Sequence, residues 1–104
     1  MKKTAAVLIL GLFCAAAFAS DLAAVHQKAG VRLKAEPTEQ QCFSCHGSYE
    51  SLGEKTAALS PNPHRSHMGR VQCNACHAWK GRSRLMCQDC HNFPELEAAL
   101  RRGR

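Results

Sequence analysis

Six of the seven cysteines fall into three clusters of one pattern: Cys42-Phe43-Ser44-Cys45-His46, Cys73-Asn74-Ala75-Cys76-His77 and Cys87-Gln88-Asp89-Cys90-His91. Two thiols three residues apart, followed at once by an imidazole, form the c-type haem attachment pattern. The chemistry requires that spacing. The thiols add to the two vinyl groups along one porphyrin edge, so they must stand about one helical turn apart. The adjoining histidine then lies under the iron and becomes its proximal ligand. One such cluster in an arbitrary chain is a weak signal. Three copies that use every cysteine after Cys14 are a specific one.

Two other uses of the same residues compete. Paired Cys-x-x-Cys knuckles can supply four thiolates to structural zinc, but three pairs with three adjoining histidines fit tetrahedral zinc awkwardly. Three disulfides would suit an exported small domain, but they leave a histidine at the same offset in every cluster without a purpose. Haem accounts for all nine residues.

The remaining histidines, His26, His64 and His67, sharpen the expectation. Three irons that already hold His46, His77 and His91 need three distal ligands to become six-coordinate, and the count closes with none spare. Bis-histidine ligation of three covalent c-type haems is therefore expected. Met68 or Met86 in place of one histidine would give a His/Met iron of higher potential. His64 and His67 are too close in the chain to reach opposite faces of one porphyrin, so they are expected to bind two different irons. Ser60-Pro61-Asn62-Pro63 just before them is expected to be a stiff, extended stretch, and its two prolines to hold the segment stiff, lowering the entropy lost when both bonds form.

The elements that must position these groups are slight. Residues 21–29 read as a short helix, with Asp21 as its N-cap and Gly30 as its terminator. Residues 31–40 are polar, carry Pro37 and read as loop. Residues 49–59 are expected to form one or two helical turns. Pro94 opens a last helix with Glu95 and Glu97 in its first turn and Arg101 and Arg102 at its end. Between Ala35 and Phe93 no sustained helical or alternating pattern runs, and no strand is expected. The expected fold class is mostly irregular with short α-helices, little or no sheet, and a chain wrapped around closely packed haems.

The beginning of the chain is of another kind. Lys2 and Lys3, the apolar run Val7 to Phe13 and the small-residue site Ala17-Phe18-Ala19 read as a secretory signal peptide over residues 1–19, leaving a single domain at 20–104. The apolar run is too short to span a bilayer, so no stable membrane insertion is expected; the competing reading is a retained anchor. Cys14 follows the bulky Phe13, unlike a lipoprotein cysteine, and is expected to leave with the signal. The remaining chain has two phenylalanines, one tryptophan and one tyrosine among scattered aliphatics. Such a chain is too short and too poor in large apolar side chains to build an adequate core unaided. Loss of Lys2 and Lys3 lowers the formal net charge from +6 to +4. Export and the propionates of bound haem argue against nucleic acid as the partner of this excess.

The run from Gln41 to Gly47, the element Asn62-Pro63-His64-Arg65-Ser66-His67 and the clusters at 73–77 and 87–91 resemble the small tetrahaem cytochromes and the tetrahaem domain of flavocytochrome c fumarate reductases. Leu22-Ala23-Ala24-Val25-His26 is similar to that group's N-terminal segment with a distal histidine. Two features depart from the group. Gly30-Val31-Arg32-Leu33-Lys34 stands where a first haem motif would be, and Ala78-Trp79-Lys80 stands where a further histidine would be. The resemblance thus implies a three-haem member that has lost one attachment site together with one ligand, with Trp79 as the candidate to fill part of the vacated volume.

The resemblance further implies periplasmic electron transfer in anaerobic respiration. The implied partners are a separate flavin-containing reductase, fumarate-reductase-like, and a membrane quinol-oxidising cytochrome. Only 13 residues follow His91, so the expectation is an electron carrier without its own flavin portion, not an enzyme. The rivals are a multihaem reductase of nitrite, hydroxylamine or peroxide, and a haem-based sensor. Both need an open iron position, which the histidine count opposes.

Overall fold

The computed structural model describes residues 21–102. The expected signal peptide over 1–19 lies outside them. Among the described residues four short α-helices occur in order: α1 (Leu22–Lys28), α2 (Glu39–His46), α3 (Tyr49–Lys55) and α4 (Pro94–Arg102). Two 3₁₀ turns, Cys73–Ala75 and Met86–Asp89, lie between α3 and α4. There is no strand among the described residues, in agreement with the expected irregular fold of short helices with little or no sheet.

Each helix end follows from local chemistry. Asp21 accepts the Ala24 N–H at 2.8 Å and starts α1. Gly30, at φ +82°, ends it in a left-handed turn, with Gly30 N–H on the Gln27 carbonyl and Val31 N–H on that of His26; this is the paired closure that glycine favours. Helix α2 was not expected. Its start is a reciprocal capping box: Thr38 accepts the Gln41 N–H, and the Gln41 side chain accepts the Thr38 N–H at 2.8 Å. The pattern Thr-x-x-Gln announces it in the sequence, but α2 buries no residue and so carries no apolar stripe to reveal it.

Ser48 caps α3 by accepting the Ser51 N–H. Between α2 and α3, Gly47 takes φ +90°, ψ −179°, a conformation closed to other residues. A Cβ there would also stand 2.5 Å from the Ser51 hydroxyl.

The apolar core of the described residues is small: only Tyr49, Leu85 and Leu96 are buried hydrophobic side chains. Polar links take over part of the work. Arg70 pairs with Glu39 of α2 at 2.6 Å and lies over the rings of Phe43 and Tyr49, at 5.0 and 5.9 Å. Tyr49 accepts the Val71 N–H on its hydroxyl. At the other end, buried Ser83 accepts the Ala78 N–H, and Glu97 of α4 accepts the Leu85 N–H at 2.9 Å. Burial alone would push the Glu97 carboxyl up. The Leu85 N–H and the Arg101 guanidinium outweigh it, and the net shift is downward.

Candidate functional site

The three Cys-x-x-Cys-His clusters are each wound into a helical turn. The first lies within α2. In the second and third, a 3₁₀ turn widens at its end, so that His77 N–H reaches the Cys73 carbonyl at 2.9 Å and His91 N–H reaches that of Cys87 at 2.8 Å. Positions i, i+3 and i+4 of such a turn share a face, which groups both cysteines and the histidine of each cluster.

Each cluster histidine faces one of the other three. The ring centroids of His26 and His46 are 6.1 Å apart, those of His64 and His77 6.4 Å, and those of His67 and His91 6.0 Å. Two imidazoles on opposite sides of one metal, each with a nitrogen about 2 Å from it, bring their centroids to roughly 6 Å. The spacing suits an iron held from both sides, and the planar porphyrin would supply the other ligands. The rings are parallel within 3° in the His64–His77 pair and steeply crossed in the other two, at 78° and 68°.

The distal side chains are oriented by their neighbours. His26 Nδ1 is 2.7 Å from the Leu22 carbonyl. A carbonyl only accepts, so Nδ1 carries the proton and Nε2 keeps its lone pair for a metal. His64 Nδ1 is 3.0 Å from the Thr56 hydroxyl. That hydroxyl has one proton and stands 2.8 Å from each of two acceptors, the Leu52 carbonyl and Asn62 Oδ1. It therefore gives its proton to one of them and accepts from His64 Nδ1–H, which again frees Nε2. Burial lowers the His64 pKa and favours the neutral ring.

Asn62 pins the segment. Its amide donates to the Gly53 carbonyl at 2.8 Å, and its Oδ1 accepts the His64 N–H at 3.0 Å. This side-chain turn makes Ser60 to His67 a run of bends, with a cis Ser60–Pro61 peptide, and not the extended stretch that the two prolines suggested. The local hydrogen bonds of asparagine outcompete extension.

Thr56, Asn62 and Tyr49, whose ring meets that of His64 edge to face at a centroid separation of 5.7 Å, were not singled out from the sequence. The Asn-Pro-His run was a readable sign for Asn62. Nothing local marked Thr56, which meets His64 across the turn. Phe93 packs on His91 at 5.1 Å, and Trp79 lies against His26 at 5.4 Å.

The cysteines of successive clusters adjoin. The Cys73 thiol is pushed up by burial and by the Cys42 sulfur beside it. Burial also raises Cys76, which neighbours Cys87 and accepts the Met86 N–H at 3.3 Å. Among the described residues no three cysteine, histidine or acidic side chains converge to hold a metal ion by themselves.

The sequence profile of the cytochrome c3 family matches residues 16–92. The chain belongs to the cytochrome c3 family. Membership brings covalent c-type haem and a multihaem electron-transfer role, and the resemblance read from the sequence stands. Among characterised proteins, this cytochrome c3 chain is 40% identical over 53 residues to a probable fumarate reductase, Ifc3, of Shewanella frigidimarina, covering 51% of the chain and 9% of that protein. It is 33% identical over 67 residues to the acrylate reductase cytochrome subunit of Shewanella woodyi, covering 59% and 56%. It is 32% identical over 54 residues to the cytochrome c-type protein Cgr1 of Eggerthella lenta, covering 51% and 25%. The matches thus span only part of each relative's length. No solved structure matches significantly. No helix among the described residues is long and apolar enough to cross a membrane.

Proposed function

We propose that this cytochrome c3 chain carries three covalent haems and serves in the periplasm as an electron carrier to a separate flavin-containing reductase of fumarate or a similar unsaturated acid. Cys42 and Cys45, Cys73 and Cys76, and Cys87 and Cys90 hold the three porphyrin edges. His46, His77 and His91 are the proximal ligands, and His26, His64 and His67 are the respective distal ones. The observation that carries this reading is that three independent histidine pairs all stand 6.0–6.4 Å apart. Bound haem supplies reversible one-electron chemistry.

The protein's own part is to fix spacing, orientation and ligand basicity. The adjoining sulfurs of Cys42 and Cys73, and the nearness of Cys76 to Cys87, put the second cluster between the other two. His64 and His67, on one pinned turn, tie the second and third centres together. Two imidazoles per iron leave no open position, which favours a carrier over a reductase of nitrite, hydroxylamine or peroxide. The match to an acrylate reductase cytochrome subunit supports a partner reductase encoded apart. An upstream membrane quinol-oxidising cytochrome completes the route, and export by a leader over residues 1–19 places the chain where haem is attached.

Intact mass of the protein from a host competent in cytochrome maturation tests the reading. It should exceed the cleaved polypeptide by three haems, and the ferric spectrum should be wholly low-spin. A mass equal to the bare chain would refute it, and a high-spin fraction that binds cyanide would favour the enzyme.

A further inference from the structure

Beside α1 the structure has a groove of about 520 Å³ that the haem clusters do not use. Its lining includes Trp79, Val31, Leu33, Arg32, Lys34 and Lys80. Val31 and Leu33 are 45% and 40% exposed, two of the three large hydrophobic residues so exposed among the described residues. The three basic side chains face one acidic neighbour, Glu36, and none of them is in an ion pair among the described residues. The N–H groups of Leu22 and Ala23 bond the carbonyls of Ala78 and Trp79, at 3.2 and 3.0 Å, which ties the Trp79 segment to α1. Trp79 in turn lies 5.4 Å from His26.

A second groove, lined by Arg82, Arg84 and Arg101, is basic too. There Arg84 is paired with Asp89 and Arg101 with Glu97, and no exposed large hydrophobic residue stands among its lining.

We infer that the Trp79 groove is the docking surface for an acidic redox protein, and that the His26–His46 centre is the port through which that partner exchanges electrons. The inference rests on the carrier reading and deepens it. Unpaired cations steer an acidic face to the groove. Exposed aliphatics and a tryptophan give the small apolar contact of a transient complex. The tryptophan ring closes the space between that contact and His26. One encounter moves one electron: the partner's reduced cofactor loses it, the ferric centre gains it, and no bond is made or broken.

The probe is an acidic flavodoxin, used with the holoprotein. Calorimetry of the two oxidised proteins at low salt should give a Kd that weakens about tenfold in the variant R32Q/K34Q/K80Q. Stopped-flow haem reduction by the reduced flavodoxin should slow by a similar factor. The variant R82Q/R84Q/R101Q removes as many charges from the second groove and should stay within about twofold of wild type. Dithionite should reduce all three proteins fully, a check on the carrier reading that is independent of docking. Equal losses in both variants, or a larger loss in the second, would overturn the inference. So would sedimentation with anionic phospholipid vesicles that the first variant abolishes while flavodoxin binding stays intact, since the groove would then serve a membrane surface.

Discussion

The imidazoles of His64 and His77 lie parallel within 3° at a centroid separation of 6.4 Å, whereas the rings of His26 and His46 cross at 78°. Axial ring orientation sets the splitting of the iron d orbitals. Electron paramagnetic resonance of the ferric protein should therefore show one ordinary rhombic low-spin signal, from the centre between His64 and His77. The two crossed centres should give strongly anisotropic signals with a large principal g value. Three alike rhombic signals would contradict the geometry.

Replacement of the two histidines on the Asn62 turn should strike different centres. On the proposed three-haem reading, His64→Ala and His67→Ala should each convert one haem in three to high spin, and the double variant two in three. If His67→Ala leaves the spectrum of the His64→Ala variant unchanged, the two do not serve separate irons. The retained thioether bonds should keep the haem count at the wild-type value throughout, by mass.

Thr56 acts on His64 through a single hydrogen bond. Thr56→Val keeps the shape and deletes the acceptor of Nδ1–H. Loss of such an outer partner commonly weakens a metal–histidine bond about tenfold or more. Imidazole or cyanide should then displace His64 at about one-tenth of the concentration needed in wild type. Thermal unfolding should show a cost of about 1 kcal/mol from the lost bonds.

Glu97 makes stability depend on acid. Its folded-state pKa lies below the ordinary 4.5, so its contribution is complete above that value and is lost as the pH falls through the lower, folded one. Glu97→Gln keeps an oxygen for the Leu85 N–H but gives up the charge facing Arg101. The variant should be about 1 kcal/mol less stable at pH 7. The gap to wild type should close below pH 4.5 in chemical denaturation across that range. A gap that persists in acid would mean that the carboxylate charge is not what matters.

The cysteines and histidines could be picked out from the sequence because their chemistry is written in spacings of three and four residues. The partition of the distal histidines could not. His26 and His46 are brought together by α1, α2 and the Trp79 segment, and no local pattern encodes that meeting. The helix ends at Asp21, Gly30 and Pro94 were readable because each is a property of a few adjacent residues. Helix α2 escaped notice because its signal lies in the cap formed by Thr38 and Gln41, while attention to hydrophobic period finds nothing there. The turn at Asn62 was misjudged for the opposite reason: two prolines spoke for extension, and one amide side chain overruled them.

A polypeptide whose described part buries only Tyr49, Leu85 and Leu96 as apolar anchors has almost nothing to collapse upon before its cofactors arrive. Haem attachment must then precede folding, and an unladen chain is left open to proteases. The amount of this protein in a cell should thus track the supply of haem more closely than the rate of its own synthesis.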